Sequence, residues 1–303
     1  MSQLILARGV SHYFGSKKAL DNVDIELQPG KPIALVGPNG AGKTTLFSLI
    51  CGYLQPSEGE IKVLGHRPGS AALFGQLSAL PQDALLDPNF SVAQQLALYA
   101  RLQGFSQRQA KIETQRVLEL VNLKGTADSR AKELSHGMKK RICIAQALLG
   151  SPKLVMLDEA TAGLDPANAR AIRELVSALS TETTFVLSSH DLSELERLCD
   201  RVLYLQQGRL ATHQLDSQTE QLAYLTLQLR EQNDHVAAAL KALPHVVSVD
   251  NSQRNEFVIG YSSEGLSEAM DIALLTLCHK QQWRYRALIN GHTLENQLFA
   301  TGA

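Results

Sequence analysis

The stretch Gly37-Pro38-Asn39-Gly40-Ala41-Gly42-Lys43-Thr44-Thr45 constrains the fold more than any other in this chain. It fits the phosphate-binding pattern G-x-x-x-x-G-K-[ST], and both flanks suit that reading. Pro32–Val36 reads as a short buried strand ahead of it. Thr45–Ile50 reads as the apolar start of a helix that closes near Gly52. Glycines let consecutive backbone N–H groups curl around phosphate oxygens where a side chain would clash. The helix N-terminus adds unpaired donors and partial positive charge. Lys43 supplies a point charge for the outer phosphates and Thr44 a hydroxyl for Mg²⁺. The stretch predicts a bound nucleotide, but not its use.

Downstream, strands and helices alternate. Leu154–Leu157, Thr184–Leu187 and Val202–Leu205 read as apolar strands, with helices over Ala167–Leu179 and Leu192–Cys199 between them. That order predicts an α/β fold whose parallel sheet is covered on both faces, with ligands at the carboxyl ends of its strands. Leu4–Val10 and Leu20–Leu27 have strand character, and the second alternates apolar and acidic residues as a half-exposed antiparallel strand does. Gln28–Gly30 and Pro56–Gly59 are turns, and Glu60–Leu64 a strand. Between about Asp83 and Gly150 the character is helical, with 3.6-residue spacing over Val92–Tyr99 and Ile112–Leu120. After about residue 215 the order β-α-β-β-α-β, ending in Trp283–Leu288 and a helix over Thr293–Phe299, predicts a small independent α+β domain.

A chain of 303 residues, 44% hydrophobic and 19% charged, has room for one large domain and a smaller one. Its net charge of −1, with no dense basic block, argues against a broad electrostatic grip on nucleic acid or anionic lipid. Cys51, Cys143, Cys199 and Cys278 are scattered without a C-x-x-C, which predicts buried reduced thiols. The start lacks the pattern of a secretory leader, and no run reaches the roughly 18 apolar residues of a membrane span. The expectation is a soluble, cytoplasmic chain that leaves any membrane crossing to another protein.

The apolar strand Leu154–Leu157 runs directly into Asp158-Glu159. At such a strand end in a P-loop NTPase a carboxylate reaches Mg²⁺, which makes Asp158 the candidate ligand. Glu159, one residue on, is the candidate general base for the attacking water. Leu134-Ser135-His136-Gly137-Met138-Lys139-Lys140-Arg141 reads as a helix start with Ser135 as N-cap and the three cations on a solvated face.

Taken in this order, Gly37–Thr45, Leu134–Arg141 and Leu154–Glu159 resemble the nucleotide-binding domain of ATP-binding cassette (ABC) proteins. Other positions match the same family. Phe14, with Tyr13 as a weaker stand-in, occupies the place of an aromatic that stacks on adenine. Gln82 matches the Q-loop glutamine, Ala162–Asp165 the D-loop, and His190 the switch histidine. The resemblance covers residues 1–212 and implies a cassette with a parallel-sheet core, an antiparallel β subdomain and a helical subdomain over about 83–150, followed by the α+β domain at 216–303.

It also implies a composite site. ATP would sit on Gly37–Thr45 of one cassette while Ser135 and the Gly137 N–H of a second cassette close over its γ-phosphate. Gln82 would sense Mg²⁺ and the attacking water, His190 would contact the γ-phosphate, and Asp165 would couple the two sites. One set of motifs per chain implies a homodimer or heterodimer of cassettes, with ATP and Mg²⁺ as cofactors.

Three places depart from the family's pattern. His136 replaces the signature's first glycine, although Gly137 is kept and activity is expected. Ala160 replaces the usual proline after the catalytic acid, which predicts a looser turn. Gln94-Gln95 stands where many relatives have Glu-Asn. The tail, through Leu240–Val246 and Thr293–Ala300, resembles the accessory domain on ATP-binding subunits of type-2 ABC exporters. That implies a separate integral membrane permease as partner, location on the inner face of the cell membrane through it, and no nucleic-acid partner. An importer ATPase with a regulatory tail, and a soluble ABC ATPase acting on ribosomes or DNA, are the alternatives. A monomeric P-loop kinase would leave the signature, D-loop and switch histidine without a purpose.

Overall fold

Ile33–Val36, four apolar residues that are all buried, forms β3 and lies inside a six-stranded sheet. The computed structural model describes residues 3–188, 198–199, 201–214, 222–231, 235–253, 255–262 and 269–290. The chain forms two compact units, Met1–Leu215 and Asp216–Ala303.

In the first unit the other strands of the large sheet are β5 (Leu77–Leu80), β6 (Leu154–Asp158), β7 (Thr184–Ser188), β8 (Arg201–Gln206) and β9 (Arg209–Gln214), in the order β5-β6-β7-β3-β8-β9. The first five in that order pair in parallel, and β9 closes the edge antiparallel to β8. Every residue of β6 and β7 is buried, as expected of parallel strands covered on both faces. A second sheet, β2-β1-β4, is antiparallel and built from β1 (Ile5–Phe14), β2 (Lys17–Leu27) and β4 (Glu58–Val63). Along β2 the apolar residues Leu20, Val23, Ile25 and Leu27 are buried while Asn22, Asp24 and Glu26 are exposed.

Helix α1 (Lys43–Cys51) joins the two sheets. Its Leu46, Phe47, Leu49 and Ile50 share one hydrophobic cluster with Leu4, Ile5 and Ile25 of the antiparallel side and Leu35, Met156 and Val186 of the parallel side. The cluster anchors the phosphate loop from behind. Residues between β5 and β6 form the helices α2 (Val92–Leu102), α3 (Gln107–Leu120) and α4 (His136–Ala147). Ser91 and Ser106 open α2 and α3 with full capping boxes, and Ser135 caps α4 by accepting from the Met138 N–H at 3.2 Å. Asp165 caps α5 (Pro166–Leu179), whose Pro166 stands where its missing N–H costs nothing.

Two strands escape a sequence reading. Leu77-Ser78-Ala79-Leu80 contains no β-branched residue, and it becomes β5 by parallel pairing with β6. β9 exists because Gln207 and Gly208, at φ 49° and 77°, turn the chain back along β8. β1 runs on to Phe14 and β2 begins at Lys17, around a turn at Gly15 (φ 60°). The expected helix over Leu192–Cys199 lies outside the described residues except at 198–199.

The second unit is a four-stranded antiparallel sheet in the order β11-β12-β10-β13, from β10 (Leu222–Leu229), β11 (Val246–Gln253), β12 (Glu256–Ser262) and β13 (Tyr285–Asn290). Helices Val236–Lys241 and Met270–Lys280 pack on it through Val236, Leu240, Met270, Leu274 and Cys278 against Leu225, Leu227, Phe257 and Ile259. The expected last helix, Thr293–Phe299, lies outside the described residues.

Candidate functional site

The phosphate loop follows β3 and turns on three left-handed glycines, Gly37 (φ 153°), Gly40 (φ 79°) and Gly42 (φ 107°). Two of them are also sterically obligatory. A side chain on Gly37 would strike the Leu205 carbonyl of β8, and a Cβ on Gly42 would stand 2.6 Å from the Ala19 oxygen of β2. The Gly208 N–H of the β8–β9 turn donates to the Ala41 oxygen at 3.0 Å, bracing the loop from the side. Gly42 is the N-cap of α1 and offers no side-chain cap, so the first N–H groups of the helix stay available to an anion. Lys43 is only 8% exposed, and its Nζ donates to the carbonyls of Gly37 (2.7 Å) and Pro38 (3.2 Å). The ammonium is thereby held over the loop. Pro38, Asn39, Gly40 and Thr44 are exposed at its rim, Thr45 is half-buried, and Ala41 packs into the core.

Asp158 and Glu159 emerge at the same sheet edge. Asp158 is level with Ser188 on β7, and Ser188 is level with Leu35 on β3, so Asp158 and the loop that starts at Gly37 project from the ends of strands on either side of β7, about 10 Å apart. Ser188, 3% exposed, donates its hydroxyl to Asp158 Oδ1. Its Oγ and its carbonyl also accept from the Glu159 N–H, at 3.2 and 3.1 Å. Those two bonds hold Glu159 in the left-handed region at φ 48°. Gln82 Nε2 donates to Glu159 Oε2 at 3.2 Å, which brings the Q-loop onto the candidate base.

The donors that remain are those a hard cation uses. No group of three or more His, Cys, Asp or Glu side chains able to hold a metal occurs among the described residues. A carboxylate from Asp158 and a hydroxyl from Thr44 fit Mg²⁺, which takes few protein ligands and completes its shell with water and phosphate oxygens.

Four residues given no role by the sequence prove to matter here. Ser188 orients both acids. Lys140 of α4, expected on a solvated face, is half-buried and donates to the Gln82 carbonyl at 3.3 Å. Burial lowers its pKa, against the opposing fields of Cys143, Asp158, Glu159 and Asp83. Arg141 likewise turns inward, its Nη1 donating to the Val121 carbonyl at 3.3 Å. Asn168 of α5 donates to Asp165 Oδ2 at 2.6 Å and lies over Gly137. The spacing from Asp165 to Asn168 was a sequence signal for this; no local pattern marks Ser188 or Lys140.

Ser135 and His136 are exposed at the first turn of α4, Gly137 is buried beneath Asn168, and neither His136 nor Gly137 has a positive φ. The glycine-to-histidine departure therefore puts no strain on the backbone. Ala160 is 3% exposed, and the turn it begins is closed by Ala162 N–H to the Glu159 oxygen and Leu164 N–H to the Thr161 oxygen, both at 3.2 Å. Gln94 is the second half of the α2 capping box. Buried Gln95 accepts from the Asp87 N–H at 2.8 Å.

Phe14 is 51% exposed at the end of β1, edge-on to His12 with ring centroids 4.7 Å apart. Its partner on β2 is Lys17, close in sequence to the Ala19 and Leu20 that abut Gly42, so this hairpin stands beside the loop. Tyr13 carries the Lys18 ammonium 5.4 Å from its ring centroid. His190 lies outside the described residues.

Comparison with known proteins agrees with this geometry. The ABC transporter family profile matches residues 20–162. The chain is 36% identical over 212 residues to the Nod factor export ATP-binding protein I of Cupriavidus metallidurans, covering 69% of this chain and 70% of that one. It is 38% identical over 203 residues to the protein of the same name from Rhizobium etli, covering 66% and 64%. Among solved structures, the ATP-binding subunit of an ABC transporter superposes with a TM-score of 0.64 at 29% identity, over 70% of this chain and 90% of the other. The cbiO1 subunit from Clostridium perfringens, part of the cbiONQ transporter complex, gives 0.64 at 26%, over 71% and 89%.

Proposed function

The chain belongs to the ABC transporter family as an ATP-binding, ATP-hydrolysing subunit, and from that premise we propose that two cassettes close around two ATP molecules to drive a separate membrane permease, in the direction of export. No helix among the described residues is long and apolar enough to cross a membrane, so the path for cargo would come from the partner. The lean to export rests on the relatives, which are named as export proteins.

The observation that carries the mechanism is the convergence of the Gly37–Thr45 loop, Asp158, Glu159 and Gln82 at one sheet edge. Backbone N–H groups of the loop and the α1 N-terminus bind the phosphates, and Lys43 adds its charge to the outer ones. Phe14 stacks on the base. Mg²⁺, held by Thr44 and Asp158 with Gln82 in reach, would neutralise charge on the phosphates. Glu159 takes the proton of the attacking water, and Gln82 keeps its carboxylate in place. Ser135 and Gly137 complete the site of the second cassette, Asp165 couples the two, and His190 contacts the γ-phosphate. Dimer closure on ATP and reopening after hydrolysis follow from the different affinity of the two states for nucleotide. The cassette works at the cytoplasmic face of the membrane that holds its permease.

Glu159→Gln tests this reading. The variant should bind ATP, hydrolyse it about 10²–10⁴-fold more slowly, and accumulate as a dimer on size-exclusion chromatography with ATP and Mg²⁺. Wild-type turnover would remove Glu159 as the base, and failure to dimerise would remove the clamp. Copurification of ribosomes or DNA in place of a polytopic membrane protein would overturn the transport reading.

A further inference from the structure

One face of α4 grips the Q-loop at two successive points. Lys140 Nζ donates to the Gln82 carbonyl at 3.3 Å, and Cys143 Sγ donates to the Ala84 carbonyl at 3.7 Å. Residues three apart share a helix face, so these two donors meet the two carbonyls as a pair. Pro81, Gln82 and Asp83 are exposed, and the Ala84 N–H is satisfied within the loop by the Pro81 oxygen at 3.2 Å. The Gln82 side chain, from the residue whose carbonyl Lys140 holds, reaches Glu159. α4 is also the helix whose first turn carries Ser135 and Gly137.

We propose that Lys140 is a positioning residue for ATP hydrolysis, which fixes the main chain at Gln82 so that the carboxamide stays on Glu159. It thereby ties the base of one ATP site to the helix that serves the site of the second cassette. The proposal rests on Glu159 acting as base. The ammonium is half-buried, and the fields of Asp158, Glu159 and Asp83 partly offset the burial that disfavours its charge. A half-buried charge–carbonyl bond resists exchange with solvent better than an exposed one. Movement of α4 when the second cassette engages Ser135 is passed to Gln82 without crossing the phosphate loop.

The test is a kinetic cycle on the full chain with Lys140→Met, Lys140→Arg, Glu159→Gln and the Lys140→Met/Glu159→Gln double variant. Lys140→Met should lower kcat about 10- to 100-fold, the range for losing a hydrogen bond to a charged group. Its ATP affinity should stay within about twofold of wild type, since the residue touches no phosphate-binding group. Lys140→Arg should restore most of the rate. In the Glu159→Gln background the methionine should slow hydrolysis little further, because its effect runs through that carboxylate. Additive slowing in the double variant, wild-type kcat in Lys140→Met, or loss of ATP affinity to match the loss of rate each overturns the proposal. Wild-type turnover in Glu159→Gln alone would instead sink the base assignment, so the two failures are distinct.

Discussion

The Asn168 carboxamide occupies the space in which a side chain at Gly137 would have to stand: a Cβ there would lie 2.5 Å from its nitrogen and 2.6 Å from its oxygen. Asn168 in turn is bonded to Asp165. The signature glycine, the start of α5 and the D-loop aspartate are thus one packed unit within a single chain.

Gly137→Ala should therefore act through Asn168. Displacing a fixed carboxamide costs about 1–3 kcal/mol, the usual range for overpacking, and should pull Asp165 from its N-cap geometry. Urea denaturation should show the loss, and Gly137→Ala/Asn168→Ala should recover a measurable part of it. Strict additivity would show that the two side chains do not compete.

Lys43→Ala should separate binding from folding. The two carbonyls it leaves belong to residues at or near the surface and can turn to water, so stability should change by less than about 1 kcal/mol. ATP affinity should fall by about 10-fold or more, as expected for loss of a charged donor. Fluorescent-nucleotide titration beside thermal denaturation checks both halves.

Ser188→Ala should raise the Mg²⁺ needed for half-maximal ATPase activity by about 10- to 100-fold, the usual effect of removing a partner that orients a metal ligand. The donor to Asp158 is lost, while the Glu159 N–H keeps the Ser188 carbonyl at 3.1 Å. An unchanged Mg²⁺ requirement would argue against Asp158 as ligand.

Glu113 gives the helical region an acid-sensitive tie. Burial alone would raise its pKa, but the Arg116 side chain and the Gly150 N–H together hold it below its ordinary 4.5. Gly150 donates at 2.7 Å, joining α3 to the end of α4, and Arg116 also reaches the Leu148 carbonyl at 2.8 Å. A carboxyl with a lowered folded pKa contributes stability above its unfolded value, which is lost as pH falls through the folded one. Glu113→Gln should thus be less stable than wild type at about pH 7, and the difference should shrink as pH falls below 4.5 in urea titrations.

Legibility in the sequence followed the range of the interactions. Gly37–Thr45 was readable because steric and dihedral demands act on consecutive residues, and the all-buried β3, β6 and β7 because a strand covered on both faces carries a near-continuous apolar run. β5 was not readable. Leu77–Leu80 has no strong strand preference, and its conformation is set by hydrogen bonds to β6, far away in the chain. Lys139–Arg141 misled for the same reason: a cation run on a helix is ordinarily solvated, and only the neighbouring Q-loop and α3 turn Lys140 and Arg141 inward.

The sequence by itself determined that a phosphate loop lies between a buried strand and a helix, which residue types stand at the strand ends, and in what order the motifs run. Those properties are local, because glycine torsions, helix caps and apolar periodicity need no distant partner. Only the tertiary structure decided that Ser188 holds Asp158 and Glu159, that Lys140 bonds the Gln82 carbonyl, and that the Asn168 carboxamide fills the space over Gly137. Each of these joins residues from separate elements, and such contacts exist only once the parallel sheet has set its register.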